Sequence, residues 1–125
     1  MRVAVAVRKA RLDGMPVACA LVWADGASDR IDAIAASIIR TSTRSEAIRT
    51  GSADEVAIVA HEHDAARLAD ILSAAVADVG LGFGIALKAG VAAAPEHASD
   101  GPALLAAARR ALTAAISRGP VATAR

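Results

Sequence analysis

The chain has 125 residues and a formal net charge of +1, from 14 Lys and Arg against 13 Asp and Glu. That length suits one domain spanning residues 1–125, and the near-neutral balance gives no reason to expect a nucleic-acid or anionic-membrane face. One Phe, one Trp, no Tyr and 35 alanines exclude a base-stacking platform and imply a core of small side chains that helices can approach closely.

The first segment, Met1 to Leu12, reads as a helix running into the turn "DGMP", although its "VAVAV" also alternates like a strand. Its short apolar part has no convincing cleavage site, so a signal peptide is not expected. "PVACALVWA", Pro16 to Ala24, is a continuous apolar run between turn signals and predicts a buried central strand. Cys19 lies inside this run and is expected to be a small buried hydrophobe in a reducing cytoplasm.

Asp29 is placed to cap a helix from Arg30 to about Thr41, with Ile31, Ile34, Ile38 and Ile39 on one stripe. "SEAIRT" and "DEVAIVA" predict two strands of a hairpin around "GSA". Asp64 opens a second helix to about Val79, its inner face carrying Leu68, Ile71, Leu72, Ala75 and Val76. Phe83 to Ala93 predicts one long or bent strand. The glycines of "GLGFG" lack the spacing of a phosphate loop, and a bulge or close packing explains them better. A final helix follows Ser99 or Asp100, with Pro102 in its first turn and Gly119 after its end; the last six residues read as a tail. The predicted fold class is α+β, one mixed sheet with helices on its faces.

Three stretches together carry a family likeness. "ARLDGMPVACALVWAD" has a G-x-P followed by an apolar run. "RTGSADEVAIV" has an acidic pair at a hairpin. "KAGVAAAPEHASDGPALLAAARRALTAAISRG" has the strand, proline and helix that follow. In order and spacing they resemble the GGDEF domain of diguanylate cyclases, enzymes that join two GTP molecules into cyclic di-GMP. The resemblance implies a GGDEF/nucleotidyl cyclase-like mixed sheet flanked by helices, with a shortened first helix.

It also implies site roles, and the residues depart from most of them. The first strand-end aspartate, a Mg²⁺ ligand in the family, falls on Trp23, and the second survives as Asp25. An indole offers Mg²⁺ no oxygen donor. The family's guanine-reading segment is missing, about ten residues by the pattern, and with it the hydrogen-bonding groups that discriminate a base. In the signature hairpin, Gly51, Ser52, Ala53, Asp54, Glu55 and Val56 stand for G-G-D-E-F. The two glycines fall on Ser52 and Ala53, or on Gly51 and Ser52 with one inserted residue. Asp54 and Glu55 match the acidic pair, and Val56 replaces Phe. In the last helix Arg109, Thr113 and Ile116 stand for Asp, Tyr and the phosphate-contacting Lys, and the product-inhibition motif R-x-x-D falls on Ser42 and Ser45.

These departures set the expectations. The domain is expected to be a catalytically inactive regulatory or protein-interaction module in cyclic di-GMP signalling. It is expected to need no cofactor and no metal, and to have an unidentified protein or a second copy of itself as partner. The alternative is a sensor that binds GTP or cyclic di-GMP without turnover. Asp54 and Glu55 are expected to be solvated at the hairpin tip, or to make a weak metal or partner contact. Trp23 either fills the space of the lost pocket or anchors a partner, with Asp25 and Arg109 as further candidate contacts; Arg109 otherwise reads as a solvated helix face. "HEHD", His61 to Asp64, reads as a solvated connection rather than a metal site with His97.

Overall fold

The computed structural model describes residues 2–40 and 45–125. Four helices and five strands follow in the order α1 (Arg2–Asp13), β1 (Val17–Ala24), α2 (Ile31–Ile39), β2 (Ser45–Arg49), β3 (Glu55–His61), α3 (Ala65–Phe83), β4 (Leu87–Ala94), α4 (Gly101–Arg118) and β5 (Val121–Thr123). The strands form one mixed sheet in the order β2-β3-β1-β4-β5. β1 pairs antiparallel with both β3 and β4, and β5 runs parallel to β4.

β1 sits at the centre because every residue in it is apolar, so it can be covered on both faces. Its alternate residues divide between two cores. Ala18, Ala20 and Val22 join Ile34, Ile38, Leu68 and Leu72 of α2 and α3. Val17, Cys19 and Leu21 join Val3, Val7, Leu104 and Leu112 of α1 and α4. The alanine-rich composition has a direct consequence at Gly90 of β4. A Cβ there would lie 2.0 Å from the Leu112 amide nitrogen. The α4 backbone therefore rests on the strand itself, and this fixes the height of every α4 side chain above the sheet.

Two helix starts follow from their caps. The Asp64 carboxylate accepts the Arg67 N–H at 2.8 Å, and the Asp100 carboxylate accepts the Ala103 N–H at 2.8 Å. Each satisfies a donor that the first helical turn leaves unpaired, worth about 1 kcal/mol.

Three sequence expectations need correction. The residue capping α2 is Arg30, not Asp29, and it makes no side-chain cap bond; Asp32 supplies the acidic charge of the first turn. The predicted end of that helix, Thr41, lies outside the described residues, as does Ser42. α3 continues to Phe83, so the strand expected from Phe83 begins only at Leu87. The helix stops where Gly84 turns left-handed at φ 68°, its N–H reaching the carbonyls of Gly80 and Leu81. Finally, the presumed tail contains β5, which bonds to β4 along Ala89 to Val91. Among the described residues, no helix is long and apolar enough to cross a membrane.

Candidate functional site

The signature hairpin brings its acidic pair to the C-terminal end of β1. Register places Trp23 directly opposite Glu55 on β3 and opposite Lys88 on β4, so these three side chains share one face of the sheet. The Ala24 N–H donates to the Asp54 carbonyl at 2.9 Å, which ties the hairpin to the strand end. Gly51, Ser52 and Ala53 form the exposed turn, and Val56 is buried on the opposite face with Val22 and Ile58.

Glu55 is not a solvated tip residue. Its side chain is only 5 % exposed, and both of its oxygens are taken by one guanidinium. Arg109 Nη1 donates to Oε2 at 2.9 Å, and Arg109 Nη2 donates to Oε1 at 2.7 Å. This forked geometry is the strongest pairing a carboxylate finds among side chains. It raises the Arg109 pKa above its ordinary value. The hydrogen bonds to Glu55 dominate, burial opposes them, and the Glu55 charge adds to them. Arg109 therefore leaves the expected role of a solvated helix face: its stem rises beside α4 and its head closes over Glu55.

Asp54 is half-buried and also engaged. The Trp23 indole N–H donates to its Oδ2 at 3.1 Å. Trp23 itself is half-buried and packs against the core beneath α1 and α4. The indole thus fills space and donates a hydrogen bond to the neighbouring carboxylate. Asp25 lies in the exposed turn beyond β1. On α4, Thr113 donates its hydroxyl to the Arg109 carbonyl at 3.1 Å, and Ile116 is exposed.

The donor set does not fit a pair of Mg²⁺ ions. Mg²⁺ takes hard oxygens in octahedral array. Here the β1 position is an indole, Asp54 accepts from that indole, and both oxygens of Glu55 face a cation. Among the described residues, no three His, Cys, Asp or Glu side chains come together as a metal-binding group. "HEHD" is not the solvated connection expected throughout. His63 is buried with Nδ1 2.7 Å from the His61 carbonyl, and Asp64 caps α3. His97 accepts the Ala93 N–H at Nδ1, 3.0 Å away. Cys19 is fully buried, and burial pushes its thiol up to about 12, so it is no nucleophile at neutral pH.

Sequence reading placed Trp23, Asp54 and Glu55 near one another through the hairpin likeness. It missed the Arg109–Glu55 pair, which joins residues 54 apart in sequence. One signal was available: Arg109 lies three residues before Leu112 and one after Ala108, both buried. That sets it on the flank of the apolar stripe rather than opposite it.

No family model matches the chain, and no curated protein matches it. Solved structures do. The GGDEF domain of YfiN (TpbB) from Pseudomonas aeruginosa is 23 % identical with a TM-score of 0.82, over 99 % of this chain and 91 % of that one. The active GGEEF domain of a diguanylate cyclase from Vibrio cholerae is 15 % identical with a TM-score of 0.80, over 99 % and 92 %. The GGDEF domain of DgcB from Caulobacter crescentus, solved with c-di-GMP, is 20 % identical with a TM-score of 0.78, over 98 % and 85 %. The likeness covers nearly the whole length, and this chain has the GGDEF-domain fold.

Proposed function

We propose that this GGDEF-like domain is a catalytically inactive module that acts by binding another protein or a second copy of itself. The supporting observation is the closure of the acidic pair: Asp54 accepts from Trp23, and Glu55 is forked by Arg109. Phosphoryl transfer by two metals requires carboxylate oxygens from two strands to face the ions. In this chain one strand contributes an indole, and at the other Asp54 Oδ2 and both Glu55 oxygens are already bonded to protein donors. Freeing Glu55 would leave a buried carboxylate and an arginine without their mutual bonds, a cost of about 2 kcal/mol before any ion is bound.

The test is incubation of the pure protein with GTP and Mg²⁺, with chromatographic detection of cyclic di-GMP, followed by calorimetric titration of each nucleotide. The expected result is no product and no binding heat up to millimolar ligand. Turnover would overturn the reading outright. Micromolar binding without turnover would replace it with a nucleotide sensor.

A further inference from the structure

The opposite end of β1 has a different character. Between the last turn of α1 and the loop joining β4 to α4 lies a cavity of about 330 Å³. Its walls are Val7, Ala10, Met15, Pro16, Ala94 and Ala98. Val7 and Ala94 form a buried floor, and Met15 is exposed. An engineered apolar cavity of about 150 Å³ already takes up benzene, and small-molecule pockets begin at about 300 Å³.

One charged side chain lines this cavity, that of Arg11. It reaches from α1 to the facing loop, where Nη2 donates to the Ser99 carbonyl. A guanidinium carries five donors, so this bond leaves others for a ligand. Of the nearby carboxylates, Asp100 accepts the Ala103 N–H at 2.8 Å, and the Glu96 side chain is 60 % exposed. Asp13 and Lys9 line a smaller adjoining pocket that shares Ala10, Met15 and Pro16 with this one, and neither lines the cavity itself. The cavity therefore combines apolar walls with a single cationic edge.

We propose that this cavity binds a small amphipathic carboxylate, its apolar body between α1 and the β4–α4 loop and its head group on Arg11. The apolar walls give affinity through burial, and the guanidinium selects the anion through forked hydrogen bonds. Met15, unbranched and polarizable, adjusts the mouth to the chain that enters. The site lies at the other end of the sheet from the signature hairpin, and it stands whether or not the domain turns over nucleotide.

The experiment titrates octanoate, and octanol as its neutral counterpart, into the ¹⁵N-labelled protein while amide shifts are followed. Octanoate is expected to bind saturably at one site, moving the amides of Val7, Ala98 and Ser99. Octanol should bind at least about tenfold more weakly, since a hydrogen bond to a charged group is worth about that factor. Arg11→Gln should bring octanoate down to the octanol level. Ala98→Leu, which fills the cavity from a half-buried wall, should abolish both. Thermal unfolding of each variant reports whether the fold is kept, and Arg11 is exposed, so its variant has no core to lose. No saturable binding of octanoate overturns the proposal. Equal affinity for the two probes, an unchanged preference in Arg11→Gln, or retained binding in a folded Ala98→Leu would each do the same.

Discussion

At the C-terminal end of β1, Trp23, Asp54, Glu55 and Arg109 satisfy one another; at its N-terminal end, Val7, Met15, Pro16 and Ala94 leave about 330 Å³ unfilled. Both ends belong to one strand and both face α1 and α4. The difference lies in what an unmet group costs. A buried carboxylate without a partner is expensive, so at the first end Glu55 is forked by Arg109, and Trp23 adds one bond to the half-buried Asp54. An unfilled apolar space costs only the contacts its lining forgoes, and alanine and proline side chains are too short to reach across it. The proposed loss of catalysis rests on the bonds at one end. Slack at the other leaves room for a guest.

Gly90 carries the largest effect, because it sets the distance between α4 and the sheet that both ends depend on. Gly90→Ala would place a methyl group against the Leu112 and Ala108 backbone. Backbone cannot yield as a flexible side chain does, so α4 must lift. The expected loss is about 3 kcal/mol in urea unfolding, with the Arg109–Glu55 fork broken as a consequence. A wild-type midpoint would mean that α4 adapts freely, and its height could then not be what brings Arg109 over Glu55.

The fork itself should respond asymmetrically. Arg109→Met leaves a carboxylate that is 5 % exposed without its cation. Breaking a fully buried pair costs about 3–5 kcal/mol, but the Arg109 side chain is 53 % exposed. Water can therefore reach the site, and about 2 kcal/mol is expected. Glu55→Gln keeps the shape and one acceptor, and it leaves an arginine that solvent can hydrate; about 1 kcal/mol is expected. Denaturant midpoints of the two variants decide this. If Glu55→Gln were the more damaging, the burial asymmetry would be the wrong account of this end. The double variant with methionine at both positions should recover most of the loss, since a well-packed apolar pair removes the stranded charge.

What the sequence made legible follows from the range of the interactions involved. The central strand, the hairpin and the caps Asp64 and Asp100 are local: an apolar run, a turn, or a carboxylate three residues from an open N–H. The end of α3 was obscured because glycines at positions 80, 82 and 84 weaken helix propensity. The burial of Leu72, Val76 and Gly80 along the inner face carries the helix through regardless. β5 depends on pairing with β4 across the length of α4, which no local pattern encodes. The same holds at the site. Asp54 and Glu55 were legible as a hairpin pair, but their solvation was misjudged because their partners come from β1 and α4. The cavity left no trace in the sequence at all, since it is made of small residues from segments that meet only in the fold.

The smallest effect expected is at the Trp23–Asp54 bond, and it separates two roles of the indole. Trp23→Phe keeps most of the aromatic volume and removes the N–H that reaches Asp54 at 3.1 Å. Asp54 is only half-buried, so water can replace the lost donor. The cost should be about 0.5–1 kcal/mol, the usual worth of one side-chain hydrogen bond. Asp54→Ala removes the acceptor on the other side of the same bond and should cost a similar amount. Combined, the two changes should cost less than their sum, because each removes the same interaction. A double-mutant cycle of urea midpoints measures the coupling. Coupling near zero would mean that the bond contributes nothing and that Trp23 matters by volume alone. Asp54 would then be the one carboxylate of the hairpin still open to a ligand, and the contrast between the closed and the slack end of β1 would rest on Glu55 and Arg109 only.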